Sequence, residues 1–582
     1  MKPNVPRDTD PEWLAPLRAA RAAGELRDVD VHLARHLLAL ADGPAGTGVA
    51  QTIARLSRAQ GDGDICLDLA AREDRRAELL ASGLAALPAA AGTTPLVLDA
   101  GHRLYLRKYF VFEQQVAQDL LARAVDAPLA GDDAVEDALD ARVAAGDVDP
   151  QQRAAARIAL RRRLAVITGG PGTGKTTTVA RILAAMLAVD AVAPSRIRLA
   201  APTGKAAARL GESIRTAKAR LLAAGGNASL IERIPEQAQT LHRLLGIRPD
   251  TRRPRHGRDH PLPLDVLVID EASMIDLPSM ARTLAALPPT ARLVLLGDAH
   301  QLASVEAGAV LGDICHGLDA GSTSPLAASL AQLVTSHRFR DDSGIGALAR
   351  AVKDGDSVRT LAVADTDPSV SLQASSTPDD LAATAINAWR DTFTATDVVT
   401  AAARFDRFRI LCALREGPAG VRTVNAGIEQ ALADAGLIAS DATAATFYRG
   451  RPLLVTENDY GIALFNGDVG LVWPDDDGVL RACFVAADGS VRRLPLARLP
   501  AHETCYAMTV HKSQGSEFDH VALVLPGTDS PVLGRELVYT GVTRAKSSVT
   551  IQASREVLTM AVERRIRRSS GLRDALWGSE TA

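Results

Sequence analysis

The stretch that most limits what this chain can become reads Val166-Ile-Thr-Gly-Gly-Pro-Gly-Thr-Gly-Lys-Thr-Thr-Thr178. The apolar run Leu164 to Ile167 predicts a short strand, and an Ala/Leu-rich helix is expected from about Thr176. Between them, Gly169 to Thr176 fits G-x-x-x-x-G-K-[ST] at every position. Gly169, Gly170, Gly172 and Gly174 let the backbone curl, with Pro171 and Thr173 between them, so that successive N–H groups point inward at phosphate oxygens. Lys175 would reach the β- and γ-phosphates, Thr176 would offer its hydroxyl to Mg²⁺, and Thr177 follows on the helix end. An ordinary glycine turn has no need of strand, loop, Lys-Thr and helix in this order. The expectation is a nucleoside triphosphate site.

Further along, several segments carry chemistry that suits such a site. Val266 to Ile269 is an apolar run ending in Asp270 and Glu271. At the C-terminal edge of a parallel sheet the first carboxylate can hold a metal ion and the second can take a proton from water. Arg292 to Leu296 leads to Gly297-Asp-Ala-His300-Gln301, where Gln301 could sense the γ-phosphate and His300 is as readily a bystander. Arg338 follows another strand, and Arg544 lies in Thr540-Gly-Val-Thr-Arg-Ala-Lys546; both are candidates for offsetting charge on the transferring phosphate. Thr203 and Lys205, His242 and Arg243, and Thr509, His511 and Lys512 pair hydroxyl groups with bases, as a phosphodiester backbone requires.

At 582 residues the chain is expected to hold about three to five domains. A net charge of −3 excludes a globally basic nucleic-acid binder but not a local basic groove. The five cysteines (Cys66, Cys315, Cys412, Cys483, Cys505) form no C-x-x-C pair, which argues against a zinc ribbon, an iron–sulfur cluster or a disulfide framework and suits a reducing cytoplasm. No signal peptide and no membrane-spanning run is read. Residues 1–145 read as Ala/Leu-rich helices without a catalytic cluster, a docking or scaffolding domain, and the acidic stretch Gly131 to Asp149 as a hinge. Residues 445–500 alternate in short segments with Asn-Gly and Asp-Gly turns, which predicts a small β-barrel set into a second α/β unit. The tail Arg564-Arg-Ile-Arg-Arg568 reads as a solvated helix face, and the basic run 252–258 either as a solvated loop or as something more.

Taken in order, Gln152, Gly169–Thr176, Ala201–Leu210, Thr240–Leu245, Asp270–Glu271, Gly297–Gln301, Arg338, Tyr506–Glu517 and Thr540–Lys546 resemble the motif series of superfamily 1 helicases. Leu264 to Pro278, Leu295 to Cys315 and Leu464-Phe-Asn-Gly-Asp-Val-Gly470 resemble more narrowly the RecD family, the alpha subunit of exodeoxyribonuclease V. The likeness runs from about 150 to 555, and more faintly reaches Asp64 to Leu69. It implies α/β architecture with two RecA-like parallel-sheet motor domains, a helical N-terminal domain and an SH3-like inserted barrel. The implied bounds are 1–145, 146–342 (with a small insertion near 245–263), 343–444, the barrel at 445–503, and 504–582. It also implies ATP and Mg²⁺, with Gln152, preferred over Gln151, reading the adenine edge about seventeen residues before the loop. The implied activity is 5′→3′ DNA translocation within a heterotrimer with RecB-like and RecC-like subunits that processes double-strand ends for recombinational repair. In such a trimer the inserted domain lines the single-strand channel, and 252–258 falls where a strand-separating element could lie. A freestanding helicase is the alternative; helix-hairpin-helix repeats of that branch are not found in 1–145, and no extra carboxylate cluster suggests a nuclease here.

Overall fold

The computed structural model describes residues 11–90, 92–139, 149–189, 192–248, 253–318, 324–339, 343–374, 378–439, 446–459, 461–486 and 489–578. A six-stranded parallel sheet forms the first α/β half, in the order Leu330–Leu333, Leu164–Gly169, Arg292–Gly297, Val266–Ile269, Ile197–Ala201, Ala238–Thr240. The central strands are apolar at nearly every position because helices cover both faces, so neither face can alternate with polar residues. One face packs on Val179, Leu183 and Leu187 of the helix Lys175–Ala188; the other packs on Leu277, Met280 and Leu284 of the helix Leu277–Ala286.

A second, five-stranded parallel sheet runs Val370–Gln373, Ala545–Gln552, Phe518–Val524, Phe408–Cys412, Ala507–Thr509. Between its strands 408–412 and 507–509 the chain leaves to build a five-stranded antiparallel sheet: Val491–Pro495, Leu480–Val485, Val469–Pro474, Pro452–Val455, His502–Thr504. This sheet curls over a small core of its own, Leu453, Val455, Leu464, Val472, Ala482 and Phe484. Among the described residues its two edge strands are not paired with each other.

The N-terminal segment is not purely helical. Four short strands, Leu67–Asp68, Arg103–Leu106, Leu96–Leu98 and Ala85–Ala86, make a small mixed sheet beside its helices. They run only two to four residues, too short for alternation to stand out in a sequence full of alanine and leucine. Its last long helix, Arg107–Arg123, belongs to the core of the first α/β half: Val116 and Leu120 pack with Ile269 and Met280, and the buried Arg123 donates to the carbonyl oxygens of Leu287 (3.1 Å), Pro288 (3.0 Å) and Ala291 (2.8 Å). Part of the expected hinge is also structural, since Asp132–Leu139 is a helix whose Val135 and Leu139 join the core with Ile167 and Val179. Residues 140–148 of that hinge, and 249–252 with the start of the basic run, lie outside the described residues; Arg258 pairs with Asp119 at 2.8 Å.

The tail 564–570 is not a solvated helix face. It leaves the second α/β half without helix and crosses to the N-terminal segment as a strap. Arg568 donates to the carbonyl oxygens of Glu306 and Gly308, each at 2.8 Å. The Ser569 N–H donates to Asp64 (2.7 Å), and the Gly571 N–H and the Ser570 hydroxyl donate to the buried Glu113 carboxylate (2.9 and 3.1 Å). The short helix Leu572–Trp577 then docks on 107–123, with Arg103 pairing to Asp574 at 2.6 Å. Tertiary demand for these contacts overrides the helical reading of the basic run.

Candidate active site

The strand Leu164–Gly169 delivers the chain to a loop that closes at Lys175, the first residue of the next helix. Gly172 (φ 77°) and Gly174 (φ 81°) sit in the left-handed region that a side chain disfavours. A methyl at Gly172 would also lie 2.3 Å from Cβ of Arg338. The loop is tied to the segment that carries this arginine: the His337 N–H donates to the Gly172 carbonyl (2.8 Å) and the Ser336 hydroxyl to that of Pro171 (3.2 Å). Lys175 Nζ donates to the carbonyl oxygens of Gly169 (2.6 Å) and Gly170 (3.0 Å), so its protons are aimed into the loop where phosphate oxygens would compete for them.

Asp270 and Glu271 follow the buried strand Val266–Ile269. Glu271 holds φ 54°, ψ 41°, left-handed without being glycine, a conformation that costs of order 1–3 kcal/mol and gathers at functional sites. Its N–H donates to the Asp270 carboxylate at 2.8 Å. Burial, then the charge of Glu271, push the Asp270 acid up to about 6, with Lys175 and Arg209 opposing. This is a carboxylate pair short of positive charge, which a divalent cation would supply.

The facing wall comes from the second sheet. Arg338 forms an ion pair with Glu517, and Arg209 stands 4.0 Å from the same carboxylate. Arg544 is buried and donates to the carbonyl oxygens of Thr540 (3.1 Å) and Ser516 (3.2 Å); burial lowers its pKa while Glu271 and Glu517 hold it up. Gln301 Nε2 donates to the buried Asp298 (3.2 Å), whose same oxygen accepts from the Tyr539 hydroxyl (3.0 Å) across the divide. The Leu302 N–H donates to Thr540 Oγ1 (2.9 Å), and Gln514 Nε2 to the Leu302 carbonyl (2.9 Å). Gln152, Lys175, Thr176, Thr177, Asp270, Glu271, Gln301, Arg338 and Arg544 all line one cleft of about 720 Å³, within the range that takes a nucleotide. Glu517, Arg209, Asp298 and Arg181 line it too and were not singled out from the sequence, although the first three lie inside quoted motif stretches.

The two adjacent glutamines part ways. Gln151 Oε1 accepts from the Val334 N–H at 2.7 Å, at the end of a neighbouring strand. Gln152 is buried at the cleft wall, beside the loop at Gly174 and against Arg181.

A second group of residues surrounds the junction with the antiparallel sheet. Thr203 caps the helix Gly204–Ala223, accepting from the Ala206 N–H at 3.2 Å. Lys205, the second residue of that helix, has its pKa lowered by burial, Arg409 and Arg209 adding to this and Asp406 opposing. Phe465, in the turn between the strands Pro452–Val455 and Val469–Pro474 of the antiparallel sheet, presses on this helix start; a methyl at Gly204 would meet its Cγ at 2.3 Å. Lys512 reaches the area from the other sheet, paired with Glu503 at 2.5 Å, and its N–H donates to Thr509 Oγ1 at 3.2 Å. Lys205 and Lys512 both lower the pKa of the buried Cys505 thiol, against the larger effect of burial. His242 and Arg243 are exposed on the short helix Leu241–Leu244. His511 turns elsewhere, into a second cavity of about 810 Å³ with Ser273, Gln301 and Arg568.

Three family descriptions match: an AAA domain over residues 151–307, a UvrD-like helicase C-terminal domain over 504–551, and the RecBCD enzyme subunit RecD N-terminal domain over 22–91. The chain is 42% identical to the RecBCD enzyme subunit RecD of Mycolicibacterium smegmatis, over 95% of this chain and 97% of that one. It is 33% identical to the ATP-dependent RecD2 DNA helicase of Deinococcus radiodurans, over 66% of this chain and 46% of that one. A crystal structure of Bacteroides Pif1 bound to ssDNA overlaps it loosely, at 17% identity and a TM-score of 0.37 over 71% of this chain and 94% of that one.

Proposed function

The chain belongs to the RecD family, and on that footing we propose that it is the ATP-driven 5′→3′ DNA helicase subunit of a heterotrimeric helicase–nuclease. Its partners are RecB-like and RecC-like subunits, and the complex processes DNA double-strand ends for recombinational repair. The observation that carries the reading is that one cleft is walled by Lys175, Asp270 and Glu271 from one sheet and by Glu517 and Arg544 from the other. Such a site is complete only when the two halves close, so nucleotide turnover and relative movement of the halves are linked.

ATP would lie with its phosphates on the loop 169–176 and its base beside Gln152. Thr176 and Asp270 would hold Mg²⁺, which would offset charge on the phosphate oxygens. The fit is supported by the carboxylate pair, which lacks positive charge, and by the inward aim of Lys175. Glu271, its backbone already held in an unusual conformation, orients water in line with the γ-phosphate and accepts its proton. Lys175, Arg338 and Arg544 stabilise the charge that spreads over the transferring phosphoryl oxygens. For this, Arg338 exchanges Glu517 for phosphate, which breaks one contact between the halves as another forms. Thr203, Lys205, His242, Arg243, Thr509 and Lys512 grip the sugar–phosphate backbone, so binding carries little sequence preference and weakens steeply with salt.

A freestanding helicase is the second reading. The match of 22–91 to a RecD N-terminal domain and the near-complete coverage of a RecBCD subunit favour the subunit form. The test is strand separation by the full chain on duplexes with a 5′ or a 3′ single-stranded tail. Unwinding of the 5′-tailed duplex alone is expected, and Lys175→Ala should abolish the DNA-stimulated ATPase. Unwinding from the 3′ tail overturns the polarity; hydrolysis retained by Lys175→Ala overturns the site.

A further inference from the structure

Arg181 lies on the helix Lys175–Ala188, a turn and a half beyond the phosphate loop, and lines the nucleotide cleft beside Asp149 and Gln152. Its guanidinium donates to Gln152 Oε1 at 2.6 Å. Arginine has donors and no acceptor, so this contact settles which end of the amide is oxygen: Oε1 faces Arg181, and Nε2 faces the loop at Gly174, within 3.5 Å of the His337 ring. Gln152 is fixed from behind as well, in the first turn of the helix Pro150–Arg161, which Asp149 caps by accepting from the Gln151 N–H at 2.7 Å. Asp149 also acts on Arg181, opposing the effect of its burial, and Arg181 Nε is buried with no partner.

The consequence concerns the base. Adenine offers an exocyclic amine donor beside the N7 acceptor, whereas guanine offers two acceptors, O6 and N7. A free glutamine can serve both by turning its amide over, giving Nε2 to O6 when guanine arrives. A glutamine whose oxygen is held by a half-buried arginine turns over only by giving up a charge-assisted hydrogen bond. We propose that Arg181 is a specificity-determining residue: by donating to one lone pair of Gln152 Oε1 it keeps the amide from turning over, so that the second lone pair of that oxygen meets the exocyclic group of the base, accepting from the amine of adenine and repelling O6 of guanine. This rests on the reading of Gln152 as the contact to the base, and gives that glutamine the selectivity it would lack alone.

The experiment is competition of ATP and of GTP against a fluorescent ATP analogue on the full chain, which needs no hydrolysis, DNA or partner. Arg181→Met should lower the ATP-to-GTP affinity ratio by about tenfold, the equivalent of one such bond near the weak end of its range. Arg181→Lys, which keeps a donor, should retain most of the ratio. An unchanged ratio in Arg181→Met beside a collapsed one in Gln152→Ala overturns the role of Arg181 and leaves the base contact standing. A ratio unchanged in both variants overturns the base contact itself. Equal weakening of both nucleotides in Arg181→Met and Arg181→Lys alike would make Arg181 a support for folding and overturn its role in selection.

Discussion

Asp270 shows what a residue gives up to sit in this cleft. Its acid is raised to about 6 from the ordinary aspartate value of 3.8 by burial and by Glu271. The native state therefore binds that proton more tightly than the unfolded chain does. The stabilisation is fully present below 3.8 and is lost as the pH rises through 6. In the nucleotide-free protein, Asp270→Asn should melt higher than the parent at pH 7.5 and lose hydrolysis, with the melting difference closing as the pH falls through about 6. A difference that stays constant from pH 7.5 to 5 would show that Asp270 is not the group under strain. At this scale, legibility depends on distance along the chain. Lys175, Thr176, Asp270 and Glu271 stand in contiguous patterns at strand ends, and local pattern is what a sequence displays. Glu517 lies 179 residues from the Arg338 it pairs with, and nothing in either segment names the other. Arg181 is one arginine on an Ala/Leu-rich helix; only the fold brings it to Gln152.

Among the elements, the contact of most consequence is the seat of Phe465 on the start of the helix Gly204–Ala223. It couples the antiparallel sheet, carried by the second motor half, to a helix of the first. Gly204 is required there for closeness rather than for backbone freedom, since its added methyl would lie 2.4 Å from Phe465 Cβ, too near the ring's attachment for a small rotation to relieve. Gly204→Ala should lift the sheet off the helix, lower single-strand DNA affinity several-fold at moderate salt, and spare nucleotide binding in the absence of DNA. Fluorescence anisotropy with a labelled oligonucleotide measures it; unchanged DNA affinity would detach Phe465 from the grip. The antiparallel strands were legible because Asn466-Gly467 and Asp477-Gly478 punctuate alternating residues. The tail 564–570 was not: four arginines in five residues read as a solvated face, and only the carbonyl oxygens of Glu306 and Gly308, far back in the chain, explain why Arg568 turns inward.

The whole molecule is held by that strap, which joins the second motor half to the loop after Gln301 and to the N-terminal segment. Glu113 is its anchor, a buried carboxylate accepting from Tyr105 (3.1 Å), Ser570 and Gly571. Glu113→Ala leaves these donors without an acceptor, at about 1–3 kcal/mol. Trypsin should then cut early at Arg565 and Arg567 while the rest of the chain resists; a cleavage pattern like the parent's would show that the strap does not depend on Glu113. The strap also bears on the birth of the protein. The acceptor at Glu113 and the donor at Gly571 are 458 residues apart, and a ribosome adding roughly 5–20 residues per second needs about 20 to 90 seconds to supply the second after the first. Through that interval the N-terminal segment carries an unmet buried acid and an uncovered apolar seat for Leu572 and Leu576. Its folding cannot finish in the order in which it is made, and the nascent chain must be kept from other partners until its own distant residues arrive.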